Sequence, residues 1–291
     1  MFDPRQRVLT VIIFSTVRIG LCGACGAGDE VSVLIWLLQF PAPVLGTLWV
    51  GVIVGVSVGG LFLFRKVVSH TRLESANPVS STVFQLGGVL YAVLVAFVVV
   101  VVWEQFGAAE DATTDEATAV ADLLRDSAAL PAEYREEVQQ RLVAYTRNVI
   151  DIEFPRMRRG EPVDEQSDQL TAVWDSYLKV QPETRNEIAF FDHAIVRLND
   201  LTADRQMRVS TGDAQVPGEL WVLLLGGGGV VMTFTFLLGT RDLAVHALAV
   251  GLTSALLGFV IYLIFALEHP YVGALSVSPT PYVNVLRDWA G

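Results

Sequence analysis

The sequence is poor in charge, cysteine and histidine. Charged residues make up 18% of the 291 positions, whereas a soluble domain typically carries about 25%. Hydrophobic residues make up 52%, and this excludes intrinsic disorder because such a chain can bury enough apolar surface to fold. The few charges still sum to −11, and an acidic protein is repelled by the phosphate backbone. We therefore expect no nucleic-acid partner.

The two cysteines, Cys22 and Cys25, have the C-x-x-C spacing of redox and zinc sites. A zinc site would need two more ligands at suitable spacing, and none is nearby. We favour the alternative that they are small residues in a Gly/Ala-rich stretch. The four histidines also lack partners at metal-ligand spacing, and no nucleophile or phosphate-binding motif is present. We therefore expect no metal, no cofactor and no enzymatic activity. The histidines are His70, His193, His246 and His269.

Long runs without charge are the main positive feature of the sequence. A membrane-spanning helix needs about 20 consecutive apolar residues, and four runs meet this requirement. No period-two strand pattern accompanies them, so we predict an all-α integral membrane protein. Its partner is the lipid bilayer, and we expect it to be a multi-pass protein of the plasma membrane. The predicted membrane helices lie at about residues 44–64, 79–103, 220–240 and 243–267.

The negative charge lies in one segment of the chain. Residues 104–213 contain 23 acidic and 12 basic residues, so this segment holds the whole net charge. Its apolar residues recur at spacings of three and four, as in amphipathic helices. We predict insert helices at roughly 132–154, 164–180 and 182–209, with a basic loop at 155–162.

These patterns predict a 2+2 layout of membrane helices around a soluble helical insert. Residues 1–30 form an N-terminal extension, which is either a signal-like segment or an artefact of the gene model. The other predicted parts are a first membrane hairpin at 31–103, an acidic soluble insert at 104–216, a second membrane hairpin at 217–267 and a Pro/aromatic tail at 268–291.

Two groups of motifs resemble the bestrophin-like family of bacterial membrane proteins. The apolar run 88–98 leads into Trp103-Glu104-Gln105-Phe106 at the exit of the second predicted helix. A second motif follows the fourth predicted helix. The resemblance covers about residues 33–286. The tail motif consists of Glu268, His269, Pro270, Tyr271 and Gly273.

Bestrophins are pentameric anion channels with four membrane helices per subunit and a large helical domain between the second and third. The resemblance therefore implies a homo-oligomeric ion channel, and a pentamer if the comparison holds. Bestrophins line their pore with the second helix, which suggests that one apolar face of this helix forms a constriction. A lipid-facing or packed stripe is the alternative. The candidate pore-lining residues are Phe84, Gly88, Tyr91, Val95, Val98 and Val102.

The predicted pore mouth after the second helix is acidic and begins at Glu104. Rings of carboxylates attract cations, in conflict with the anion selectivity that the resemblance implies. The alternative is an ordinary solvated helix face. We therefore assign no ion selectivity.

Glycines mark places where membrane helices can approach closely. Gly51, Gly55 and Gly59 form two consecutive G-x-x-x-G motifs, which predict a packing face for a helix of the same or another subunit. The run 226–229 contains four consecutive glycines and is best explained by a close crossing. His246, the only ionisable residue inside a predicted span, is expected at the membrane interface, because it lies close to a polar turn.

A different class of function is also compatible with the sequence. The protein could be a non-conducting structural or sensory protein, anchored in the membrane, whose helical insert binds a partner. The orientation is equally open. The positive-inside rule places the basic 65–78 loop in the cytoplasm and the insert outside, whereas the resemblance implies a cytoplasmic insert.

Overall fold

The computed structural model describes residues 42–68, 70–213, 216–273 and 275–290. All regular secondary structure in these ranges is helical, which confirms the all-α prediction. The predictions for the N-terminal extension, including Cys22 and Cys25, lie outside the described residues. The α-helices are α1 (Ala42–Val67), α2 (His70–Asp126), α3 (Ala132–Asn148), α4 (Phe154–Arg158), α5 (Asp168–Leu178), α6 (Arg185–Asp213), α7 (Gly218–Leu237), α8 (Leu243–Glu268) and α9 (Thr280–Ala290).

Four helices of the described ranges are long and apolar enough to cross a membrane, as predicted. They comprise α1, the part of α2 that begins at Ser80, α7 and α8. Helix α2 has 57 residues, far more than the ~20 that one crossing requires. Its uncharged part ends at Trp103, and the acidic sequence after it continues in the same helix.

Several helix boundaries differ from the sequence-based expectations. The predicted polar loop at 65–78 is wrong, because α1 continues to Val67 and α2 already begins at His70. Basic residues are favourable at a helix C-terminus, where they face the negative end of the helix dipole, and α1 ends with Arg65 and Lys66 in its last turn. The basic segment at 155–162 is likewise helical as far as Arg158.

The described residues fall into two compact units. The first contains the chain up to Val102 together with Val216–Ala266, and the second contains Trp103–Gln215 together with Leu267–Gly291. In the first unit, α1 packs against α8 by placing side chains on glycines. A Cβ added to Gly258 would lie 3.1 Å from Ile53, and one added to Gly251 would lie 3.9 Å from Val54. Small residues of this kind permit the close approach that stabilises helix pairs in lipid.

The second unit has a conventional hydrophobic core built from α2, α3, α5, α6 and the tail. Helices α3 and α5 form its most extensive contact. Val120, Leu123 and Leu142 are almost completely buried, and so are Tyr145 and Leu198. Burial of such side chains contributes about 1.5–3 kcal/mol each, so this cluster is a main source of the unit's stability.

A π-helical turn at Val149–Glu153 joins α3 to α4. Pro155 lies two residues further on. Proline has no N–H and its ring collides with the carbonyl four residues before it, so a wider turn accommodates it without ending the helix. Such π-turns occur frequently at functional sites. Here the turn ends at the buried carboxylate of Glu153.

Candidate functional site

The predicted pore-lining face of α2 is packed inside the subunit. Val98 and Val102 are 5% and 0% exposed, and Tyr91 is half-buried against α7. The burial of Val98 and Val102 inside the subunit disfavours them as pore-lining residues, and the assignment of the half-buried Tyr91 to the pore lining stays a prediction. Phe84, Gly88 and Val95 share their side of the helix and are also partly buried.

Tyr91 explains the four-glycine run in α7. Its hydroxyl donates a hydrogen bond to the Leu224 carbonyl at 2.9 Å. A Cβ added to Gly227 would lie 2.6 Å from the tyrosine ring, and one added to Gly228 would lie 3.1 Å from its hydroxyl oxygen. The two glycines therefore provide the space for the ring, as the expected close crossing requires.

The opposite face of α2 is apolar and exposed. It carries a row of large side chains spaced three and four residues apart, so they form one narrow stripe along the helix. Their exposed fractions run from 51% at Val93 to 69% at Phe97. This stripe, which we call the free α2 face, consists of Leu86, Leu90, Val93, Phe97 and Val100.

Glu104, the candidate pore-mouth residue, is exposed and lies in the second unit. Asp111 and Asp115 follow it seven and eleven positions later, also exposed. Seven residues are close to two helical turns, so the three carboxylates share one side of α2.

The G-x-x-x-G glycines of α1 have no partner among the described residues of the chain. A Cβ added to Gly51, Gly55 or Gly59 would meet nothing within 4 Å. Packing within the subunit uses Gly46 and Gly60 instead, which contact Tyr262 and Phe236. The other described helices of the subunit therefore do not pack on this glycine face.

A polar cluster joins four helix ends in the first unit. Arg65 near the end of α1 donates to the carbonyl of Thr240 and approaches its hydroxyl oxygen at 3.3 Å. The Arg65 Nη2 also lies 2.9 Å from Nδ1 of His246 on α8, whose Nε2 lies 2.9 Å from the Thr235 carbonyl. Asn77 of α2 forms a pair of hydrogen bonds with the backbone of Gly239, at 2.7 and 2.8 Å.

This cluster, which we call the turn clamp, satisfies carbonyl groups at the C-terminal end of α7. The last carbonyls of a helix have no partners within it and carry the negative end of the dipole. Arg65 supplies a cation there, and Asn77 and His246 supply neutral groups. His246 is 2% exposed, so the prediction of an interfacial position did not anticipate its burial in a polar network.

A group of buried charges lies in the core of the second unit. Arg208 is fully buried and forms a two-pronged ion pair with Glu116, at 2.6 and 3.1 Å. Its Nη2 also donates to Glu153 at 2.6 Å, and Arg205 donates to the other oxygen of Glu153 at 3.1 Å. Two acids and two bases thus neutralise one another, in what we call the buried quartet.

The surroundings of the quartet favour its charged state. Tyr145 donates to Glu116 at 2.6 Å, and Arg208 lies 5.6 Å from the ring centroid of Phe154. Burial by itself would raise the pKa of Glu153, but the guanidinium groups of Arg208 and Arg205 outweigh it and lower the pKa. Burial raises the pKa of the Tyr145 phenol well above its usual value, and the Glu116 charge adds to this. Tyr145 is therefore a hydrogen-bond donor at all physiological pH values.

The family tail motif belongs to the same core. The Tyr271 hydroxyl donates to the Ala109 carbonyl at 3.0 Å, and its ring meets Phe154 edge-on with centroids 5.9 Å apart. Gly273 has φ = 83°, a conformation that favours glycine, while the Pro270 carbonyl accepts from Val277 at 2.7 Å. Glu268 is buried and His269 is partly buried, so the motif closes the fold of this unit.

A polar cavity of about 650 Å³ opens beside the quartet. The π-turn and the loop before α5 form its walls, and the buried side chains of Glu153 and Arg205 lie at its edge. The Nε of Arg205 is buried and makes no hydrogen bond among the described residues. The other polar lining groups include Asn148, Arg156, Asp164 and Gln169.

Sequence reasoning missed the quartet because the scattered carboxylates of the insert suggested solvated helix faces. The spacing of the four charged residues along their helices nevertheless contained a signal. Glu116 falls at core spacing between Thr113 and Val120, and Arg205 and Arg208 continue the spacing of the buried Leu198 and Leu201. A charge at a core position of an amphipathic stripe is rarely buried unless it is paired. Pairing partners 92 positions apart could not be read from the spacing alone.

Comparison with known proteins agrees with the family resemblance that the two groups of motifs suggested. A search of curated proteins gave no match. The family model of the bestrophin-like domain matches residues 51–282, which include three of the membrane-spanning helices, most of the fourth and the insert. The chain therefore belongs to the bestrophin-like family.

Proposed function

We propose that the protein is an oligomeric ion channel in which copies surround a central axis, each with a 2+2 layout of membrane helices around its helical insert. Membership of the bestrophin-like family supports this proposal. The observation that carries it is the free α2 face, because a long helix with one face packed in the subunit has the other available for an axis or a neighbour. The proposed location is the plasma membrane.

The free α2 face replaces the face that the sequence suggested for the pore. Phe97 is the bulkiest side chain of this face, and Val93 lies about one turn before it. A ring of such side chains forms a constriction that conducts only when it is wetted. Glu104 follows Phe97 by seven positions on the same side of the helix, so the exit of the proposed pore carries a carboxylate from each copy.

Planar bilayers containing the purified protein test the proposal. We expect Phe97→Ala to increase the conductance, because it widens the constriction, and Glu104→Gln to shift the reversal potential in a salt gradient. Phe259→Ala on α8 is the matched control, since Phe259 is 54% exposed and lies on a different helix. Absence of conductance in all salts, or equal effects of Phe97→Ala and Phe259→Ala, would contradict the proposal.

The second candidate function is a non-conducting membrane-anchored protein whose insert binds a ligand or partner. The cavity beside the quartet favours it, because a volume of about 650 Å³ lies in the range of small-molecule sites. The number of subunits in detergent discriminates between the two functions. A ring with a central axis supports the channel, and a monomer or simple dimer supports the anchored binding protein. Neither candidate is an enzyme.

A further inference from the structure

The turn clamp fixes the protonation state of His246. A guanidinium has only donors, so the nitrogen that faces Arg65, Nδ1, must be the acceptor. The other nitrogen, Nε2, faces the Thr235 carbonyl, which can only accept, and Nε2 must therefore carry the proton. The hydrogen-bond partners thus assign His246 as a neutral imidazole protonated on Nε2.

A second proton on this ring is incompatible with the clamp. It would turn Nδ1 into a donor facing another donor, and it would place a positive imidazolium against the positive Arg65 at the present distance of 2.9 Å. At 2% exposure, the ring has little access to water that could compensate. An unpartnered buried charge of this kind is strongly unfavourable.

Two further charged residues, Arg241 and Asp242, lie in the turn before α8. Directly before α8, the Asp242 carboxylate accepts from the backbone N–H groups of Ala244 and Val245 at 2.8 and 3.4 Å, so it caps that helix. Arg241, beside it, adds a further positive charge to the turn. The end of α7 carries no charged residue, and α2 contributes the neutral amide of Asn77.

We propose that His246 is a proton-sensitive latch that holds the α7–α8 turn closed when neutral and releases it when protonated. Histidine changes charge between about pH 5 and 8. Protonation separates Arg65 from the ring, and with it the Arg65 contact to Thr240. Because the closed clamp binds only the neutral ring, its stability is present at high pH and falls as the pH falls. The inference concerns the subunit itself and does not depend on ion conduction.

Hydrogen exchange of the full-length wild-type protein in detergent tests the latch directly. After correction for the intrinsic pH dependence of exchange, we expect the protection of residues 235–246 to fall on the order of tenfold between pH 8 and pH 5. The peptide at 50–60 in α1 serves as an internal reference and should keep its protection. Unchanged protection of residues 235–246 would overturn the proposal.

Variants assign the effect to this ring. His246→Gln keeps a donor for Thr235 and cannot be protonated, so its protection should be equal at both pH values. Arg65→Met retains the histidine but removes the opposing charge, and its pH dependence should shrink. His193→Gln is the matched control, because His193 pairs with Asp126 in the other unit, and it should behave like the wild type. Loss of the pH effect in His193→Gln, or its persistence in His246→Gln, would contradict the latch.

Discussion

Arg208 shows how one residue can organise the core of the second unit. Its guanidinium contacts two carboxylates, one sulfur and one aromatic ring, so each of its three nitrogens has a hydrogen-bond partner. Replacement of such a complete network by apolar groups can be nearly neutral, whereas removal of one partner leaves an uncompensated buried charge. The quartet is therefore sensitive to single substitutions.

We expect Arg208→Met to lower the free energy of unfolding by about 3–5 kcal/mol, because it leaves Glu116 buried without its counter-ion. The double variant Glu116→Gln/Arg208→Met should lose less free energy of unfolding than Arg208→Met alone. Thermal unfolding in detergent measures both. Lys179→Met is the control, since it breaks an exposed pair with Glu137, and exposed ion pairs contribute little to stability. Equal losses from Arg208→Met and Lys179→Met would refute the role of the quartet.

Asp204 gives the second unit a pH dependence of its own. Burial and the nearby charges of Asp115, Asp200 and Glu116 raise its pKa from 3.8 to about 6. The folded state therefore favours the protonated form, and the charged form costs stability above about pH 6. This cost decreases as the pH falls and disappears below about pH 4.

We accordingly expect Asp204→Asn to stabilise the protein at pH 8, on the order of 1 kcal/mol after allowance for solvent screening, and to have no effect at pH 4. Thermal unfolding at the two pH values measures the difference. Asp192→Asn, an exposed aspartate on the same helix, should change neither value. A stabilisation that is independent of pH would show that the charge of Asp204 is not its cause.

At the scale of elements, α1 has two glycine faces with different roles. Gly46 and Gly60 contact side chains of the same subunit, whereas Gly51, Gly55 and Gly59 face open space. Glycine-lined faces in lipid are suited to close helix contact, so the proposed oligomer predicts that a neighbouring copy packs on the open face. The sequence could not separate the two faces, because both consist of glycine among valine and leucine.

Gly55→Leu should therefore reduce the oligomer mass without altering the fold of the subunit. Gly258→Leu on α8 is the matched comparison, because a Cβ there would already approach Ile53 to 3.1 Å, and it should lower the unfolding temperature instead. Light scattering in detergent and thermal unfolding distinguish the two results. Full assembly of Gly55→Leu would exclude this face from the interface.

The membrane helices were predictable because their signal is local. An uncharged run of 20 residues has few alternatives to a spanning helix, and all four runs became helices. The face of α2 was not predictable, because an apolar side chain gives no information on whether lipid, protein or a pore lies beside it. Only the contact of Tyr91 with Gly227 and Gly228 in α7, more than 130 positions away, separates the two faces.

For the whole molecule, the orientation of the insert is the most useful unknown to measure. We expect an impermeant maleimide to label Ala132→Cys in intact cells, with Cys22 and Cys25 replaced by serine, because the basic residues Arg65 and Lys66 at the end of α1 favour the cytoplasm. Ala132 is exposed in the second unit. Val67→Cys, 50% exposed at the end of α1, should label only after lysis. The reverse pattern would agree with the family resemblance instead.

The order in which the chain is made has a consequence for the second unit. Its core contains Tyr271 and Tyr282 from the tail, yet the rest of the unit ends at Gln215, before the last two membrane helices. Synthesis proceeds at about 5–20 residues per second. The insert is therefore complete several seconds before these tyrosines are synthesised, because α7 and α8 come between them. During this interval the ring of Phe154 lacks its contacts with Tyr271 and Tyr282, and a nascent chain stopped after α8 exposes an unfinished core to chaperones and proteases.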